Sequence, residues 1–308
     1  MSTVILSGAK DRAASNDSSP EVRKTRSFVG ARDDKAAGSA ASVVKPPRRA
    51  FDWDGLLRRT LPPVIGFALL IGVWELLTIG STTFPSPWST FEAAVKLFAD
   101  PFYRKGPNDQ GIGWNVLFSL GRVAVGFGLA AAVGIPLGFV IGRFEFASRM
   151  VSPLISLLKP VSPLAWLPIG LLVFKAANPA AVWTIFICSI WPMVVNTAVG
   201  VQRVPQDYLN VARVLNLSEW KVITRILFPA VLPYMLTGVR LSIGTAWLVI
   251  VAAEMLTGGV GIGFWVWDEW NNLNVRHIII AIFIIGVVGL ALEQILMLAA
   301  RRFSHDGA

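Results

Sequence analysis

The chain carries one cysteine, Cys188, inside an apolar run, so no disulfide can form within it. Its two histidines, His277 and His305, stand alone, and no His/Cys/Asp/Glu cluster has metal-ligand spacing. No Gly-x-x-x-x-Gly-Lys-Ser/Thr stretch is present, so phosphate-loop ATP hydrolysis is not assigned to this chain. The apolar runs offer no nucleophile–base pair, and neither catalysis nor a cofactor is expected. Charge is scarce, at 15% of residues against about 25% in a soluble domain. No apolar stretch comes early, the first long one starting near Leu61, so no signal peptide is expected.

Apolar sequence is abundant. Of the 308 residues 54% are hydrophobic, and the mean hydropathy is +0.59. Six segments each approach the ~20 residues needed to cross a bilayer: 62–80, 114–141, 152–174, 180–201, 233–256 and 277–300. The expected fold is an all-α membrane protein with six transmembrane helices. The third segment contains Pro153, Pro160, Pro163 and Pro168. Such prolines are tolerated only where neighbouring protein satisfies the freed carbonyls, so this segment is expected to be kinked and packed inside the bundle.

The net charge of +9 does not point to nucleic acid, because most of the basic residues lie outside the apolar runs. Twelve of them precede the first run, ending in Arg58 and Arg59. Residues 1–60 are expected to form a disordered basic tail that anchors the N-terminus in the cytoplasm. The apolar, membrane-spanning body then covers 61–302, and a short cytoplasmic tail covers 303–308. With the N-terminus inside, Arg143, Arg149, Arg203, Arg213, Lys221, Arg225, Arg301 and Arg302 fall on the cytoplasmic side.

The one polar interruption in the apolar half is PQDYLNVARVLNLSEWKVITRILFPAVLP, residues 205–233. Pro205 suits the first turn of a helix. Leu209, Ala212 and Leu215 recur at helical spacing, and Asn216 suits a left-handed cap. Ser218 can cap a second helix whose Val222, Ile223, Ile226 and Leu227 share one side, with Pro229 and Pro233 expected to end it. Two short, bent, half-apolar helices call for a groove on another protein.

This loop resembles the EAA loop of ATP-binding-cassette importer permeases. Asn210, Val211 and Ala212 fall on the Glu-Ala-Ala triplet, with Arg213 following; Asn216 falls on the glycine, and Ile226, Phe228 and Pro229 on the Ile-x-Leu-Pro tail. Only Ala212, Ile226 and Pro229 match in kind, and Asn210 stands where the acidic residue is usual. The Phe84-Pro-Ser-Pro87 turn and the Ser119-Leu-Gly-Arg122 stretch, followed by Gly126, Gly134, Pro136 and Gly138, are similar to the nitrate, sulfonate and taurine group of these permeases. The stretch from Thr237 to Val275 resembles the nitrate-transport permeases and their bicarbonate-carrying relatives. The resemblance implies the type I importer fold of the MetI-like kind. It also implies a second permease subunit (a homodimer), an ATPase on each coupling loop, an outer solute-binding protein, and a bacterial cytoplasmic membrane with both termini inside. Nitrate or nitrite is the first solute expected, with bicarbonate, cyanate, taurine and alkanesulfonates behind it.

The run Gly258–Gly263 is no phosphate loop, since it does not join a strand to a helix; its glycines suit a sharp turn. Trp265 to Trp270 is acidic and indole-rich, which argues against anion binding there. Its indoles suit a membrane interface or a surface for a delivery protein.

Ionisable groups inside spans are functional candidates. Arg240 and Glu293 share a depth and are expected to pair; Arg122 shares a depth with Glu254, with Glu75 a second partner in view. Arg122 and Arg240 are the arginines at membrane depth, and Ser119, Ser242 and Thr245 offer hydroxyls along an anion path. An ion-coupled secondary transporter is the rival class, but it needs midplane coupling carboxylates or an inverted repeat, and neither is visible.

Overall fold

A computed structural model describes residues 53–81 and 84–305. Its regular elements are helices: α1 Trp53–Thr78, α2 Pro87–Ala99, α3 Ile112–Arg143, α4 Glu145–Leu158, α5 Pro163–Phe174, α6 Ala177–Gln202, α7 Gln206–Val214 and α8 Glu219–Val222. A π-helical turn over Ile223–Leu227 leads into α9 Phe228–Thr257, followed by α10 Ile262–Asn271 and α11 Val275–His305. Five helices are long and apolar enough to cross a membrane, and six spans result if α4 and α5 count as one broken span. The basic tail expected over residues 1–60 lies outside the described residues as far as 52, and from Trp53 the chain is helical. The tail expected over 303–308 is helical as far as His305, and its remainder lies outside the described residues.

The centre belongs to α6. About 61% of its most apolar stretch is buried, against none of the corresponding stretch of α1. On either side α3 and α9 close on it through small residues. A Cβ at Gly138 of α3 would sit 2.6 Å from the Thr197 Cβ of α6, and one at Gly238 of α9 would sit 2.9 Å from the Pro192 carbonyl oxygen. Ile185, Met193, Val194, Ala246 and Ile250 form the buried contacts this approach permits.

The third expected span is kinked as its prolines imply, with α4 and α5 meeting at 99°, but it is not packed inside the bundle of this chain. Pro160 removes a helical donor and Pro163 begins the next helix, so the chain turns between them. Within this chain the segment is peripheral, because only Leu167 and Gly170 of α5 are buried, while Leu164, Leu172 and Val173 are exposed.

The Phe84–Pro87 turn is extended and caps α2. Ser86 adopts φ −69° and ψ 157°, and its side chain accepts from the Ser89 N–H. Helix α2 itself lies beside α11.

Candidate functional site

Two polar regions mark opposite ends of α9. At its N-terminal end lies the expected coupling loop. Pro205 takes the N-cap position rather than the first turn, and α7 runs from Gln206. Its C-terminus is a Schellman closure: Asn216 sits at φ +49°, its N–H donates to the Arg213 carbonyl, and the Leu217 N–H donates to that of Ala212, both at 3.0 Å. Asparagine tolerates this left-handed bend, which explains how it stands where the family has glycine. Ser218 occupies the N-cap of α8, with no hydrogen bond from its side chain.

The expected stop at Pro229 and Pro233 does not occur. The helix widens into the π-turn, where the Phe228 N–H reaches back five residues to the Ile223 carbonyl. That wider turn relieves the clash a proline makes in an α-helix and lets α8 run into α9 as one continuous rod.

The loop packs on its own bundle through Leu209, Ala212, Val222 and Leu227, which join Phe139, Val201, Val231 and Met235 in one buried cluster. Ile226 is half-buried beside them. The opposite side is open: Asn210, Arg213 and Pro229 are exposed, with Val211 at 56%, Val214 at 86% and Trp220 at 72% exposure. Arg213 donates to the Asn210 side-chain oxygen at 3.0 Å. Glu219 is held by Arg143 of α3 through two hydrogen bonds, a partnership that no sequence spacing announces.

At the other end of α9 lies a buried polar knot. Glu254, 2% exposed in its side chain, receives Arg122 Nη1 at 2.6 Å and the Gly263 N–H at 3.0 Å. The Ser119 Oγ lies 2.8 Å from both carboxylate oxygens and accepts from the Ile262 N–H at 2.9 Å. Asn115 Oδ1 accepts from the Gly261 N–H at 2.9 Å. Three side chains from α3 and α9 thus satisfy the free N–H groups that open α10, and the carboxylate meets the positive end of that helix. Arg122 further donates to the Val260 carbonyl at 2.7 Å and to Asn178 of α6 at 2.9 Å. The glycines have the expected role. Gly258 and Gly259 sit at φ +75° and +98°, and Gly263 leaves room for the Val251 carbonyl, which a Cβ would meet at 2.0 Å. Asn115 and Asn178 were missed; Asn115 stands one helical turn before Ser119, the one signal that would have found it.

Arg240 and Glu293 are in contact, Nε donating to Oε1 at 2.6 Å. Glu75 is exposed, and Arg122 pairs with Glu254 instead. Ser242 is buried and donates to the Ser189 carbonyl of α6 at 2.6 Å, while Thr245 donates to Leu241 within its own helix. Each of the five residues expected along an anion path, Ser119 included, therefore already has a partner inside the chain. Among the described residues no group of three His, Cys, Asp or Glu is placed to hold a metal.

An all-helical bundle with a bent loop hung from α9 defines a membrane permease component. The family model described as "Binding-protein-dependent transport system inner membrane component" matches residues 134–305, more than half of the chain. The chain belongs to that family, the multi-pass permeases of ATP-binding-cassette importers, which work with an ATPase and a solute-binding protein. It is 47% identical over 250 residues to a nitrate import permease protein of Leptolyngbya laminosa, covering 81% of this chain and 90% of that one. It is 42% identical over 271 residues to a bicarbonate transport system permease protein of Synechococcus elongatus, covering 87% and 95%. Among solved structures, a bacterial alginate importer matches with a TM-score of 0.53 at 14% identity over 82% of this chain and 96% of that one. The MetNI methionine transporter matches at 0.52 and 14% over 63% and 94%.

Proposed function

We propose that the chain forms the membrane pathway of an ATP-driven nitrate importer. Two copies enclose the path, and an ATPase seats on each loop over 205–233. Both termini and that loop then face the cytoplasm, and a binding protein docks at the α10 end. Closure of the ATPases around ATP moves the bent α7–α8 pair, and the continuous α8–α9 rod carries that motion into the bundle as a switch between two packings.

The observation that carries this reading is the open side of the loop. Val211, Val214 and Trp220 stand exposed on helices whose other side is locked into the core. Apolar side chains set among charges, on a segment fixed by a Schellman closure, form a rigid surface for a protein partner. Nitrate is put first because two nitrate permeases share 47% and 48% identity with the chain; the bicarbonate permeases follow at 42%, and a third nitrate permease shares 40%. Arg122, Arg240, Ser242 and Thr245 are engaged within the chain, so an anion crosses without a deep trap and the binding protein sets most of the selectivity. Proteoliposomes holding the assembled transporter test this. Labelled nitrate entering only with ATP and binding protein supports it. Entry of bicarbonate alone overturns the solute, and entry driven by an ion gradient without ATP overturns the class.

A further inference from the structure

A crevice made of two neighbouring cavities lies beside α1 and α11. The first is an apolar slot of about 630 Å³, walled by Phe67 and Trp74 of α1, Phe91 and Ala94 of α2, and Phe283 and Val287 of α11. That volume falls in the ~300–1,000 Å³ range of small-molecule sites. The second is a chamber of about 760 Å³ lined by Ser81, Ser86, Glu269, Asn272, Asn274 and Arg276. The two are continuous along the chain. Trp74 of the slot donates its indole N–H to the Pro85 carbonyl of the chamber at 3.1 Å, and Arg276 stands about one helical turn before Ile280 of the slot.

We propose that this crevice binds one zwitterionic phospholipid, an acyl chain in the slot and the ammonium–phosphate headgroup in the chamber. Two observations select that occupant. On α11 the slot runs from Ile280 to Val288, about 12 Å at the helical rise. That is close to one hydrocarbon leaflet, half of the ~30 Å core. The chamber then fixes the headgroup. Arg276 is exposed and makes no ion pair among the described residues, so its guanidinium is free for a phosphodiester. Glu269 places a carboxylate in the same chamber, with its Oε1 2.9 Å from His277 Nδ1. One positive and one negative group cancel, which suits an ammonium beside a phosphate and disfavours an anionic headgroup. The lipid would complete the packing of α1, whose apolar stretch has no fully buried residue and meets α11 chiefly through the Trp74–Phe283 stack.

The assembled transporter is reconstituted in vesicles of equal phosphatidylethanolamine and phosphatidylglycerol, re-extracted in mild detergent, and its retained lipid counted by native mass spectrometry. The wild type is expected to keep one phosphatidylethanolamine per chain. Ala94→Trp, which fills the slot, and Arg276→Glu, which removes the phosphate partner, each lower that retention by about tenfold. Leu290→Trp, on an exposed part of α11, leaves it unchanged. A milder Ala94→Leu and the melting temperature of each complex separate loss of lipid from loss of fold. Equal retention in all folded variants overturns the proposal, as does retention of phosphatidylglycerol at parity. A disulfide between protomers joining cysteines at positions 94 and 283 overturns it too, since a second copy would then cover the slot.

Discussion

Arg143, the last residue of α3, holds Glu219, the first residue of α8, in a fork of two hydrogen bonds, Nε to Oε2 at 3.1 Å and Nη2 to Oε1 at 2.9 Å. The side chains are 21% and 59% exposed, so the pair adds little to stability. Its geometry matters more. A bidentate fork fixes direction as well as distance, so the loop is tied to the second span as well as to its own α9.

Reversing one partner of that fork is therefore expected to uncouple transport without unfolding the chain. Arg143→Glu or Glu219→Arg lowers ATP-driven uptake several-fold with little change in melting temperature, and the double reversal restores most of it. Uptake and ATP turnover measured on the same reconstituted sample check this. Full activity in both single variants would contradict it.

The knot around Glu254 behaves differently because it is buried. Glu254→Gln leaves Arg122 without its counter-charge, which costs about 3–5 kcal/mol. The purified Glu254→Gln variant is expected to melt well below wild type. Ser119→Ala removes both a donor to the carboxylate and an acceptor for the Ile262 N–H, at about 1–3 kcal/mol. Thermal unfolding of the solubilised complex ranks the two.

Glycine positions separate by space. Gly263→Ala drives a Cβ into the Val251 carbonyl, and Gly261→Ala puts one 2.3 Å from the Glu254 carboxyl carbon. Both are expected to abolish assembly or to cost more than the ~1–3 kcal/mol of ordinary overpacking. Gly72→Ala meets nothing within 4 Å and is expected to be neutral. Yield of folded complex after size-exclusion chromatography distinguishes them.

The Arg240–Glu293 contact joins α9 to α11 within the spans. Arg240→Glu sets two carboxylates together in an apolar setting and is expected to block assembly. Adding Glu293→Arg restores it, and the amount of folded protein in membranes is the readout.

Much of this architecture was legible because lipid imposes length and apolarity on every span, and the six segments show both. The Asn216 bend was legible for the same kind of reason, since few residues tolerate a left-handed backbone. What the sequence hid was non-local. Pro229 and Pro233 signal a helix end, and only the π-turn, set by packing Val222 and Leu227 into the core, lets the rod continue. The third segment promised burial because its prolines need protein around them, yet within this chain its bend turns most of α5 outward. Arg122 and Arg240 were readable as costly charges at membrane depth. That Ser119, Asn115 and three N–H groups of the α10 start converge on the same carboxylate knot depends on contacts more than a hundred residues apart.

The central claim is that the loop over 205–233 seats the ATPase, and crosslinking tests it most directly. Cysteines are placed singly at Asn210 and Val214 in a Cys188→Ala background, with a thiol-reactive crosslinker added to the assembled transporter in vesicles. Each is expected to capture the ATPase subunit, with yields that change when ATP is bound and trapped. Cysteines that never capture it, or that react only with a reagent confined to the binding-protein side, would contradict the account.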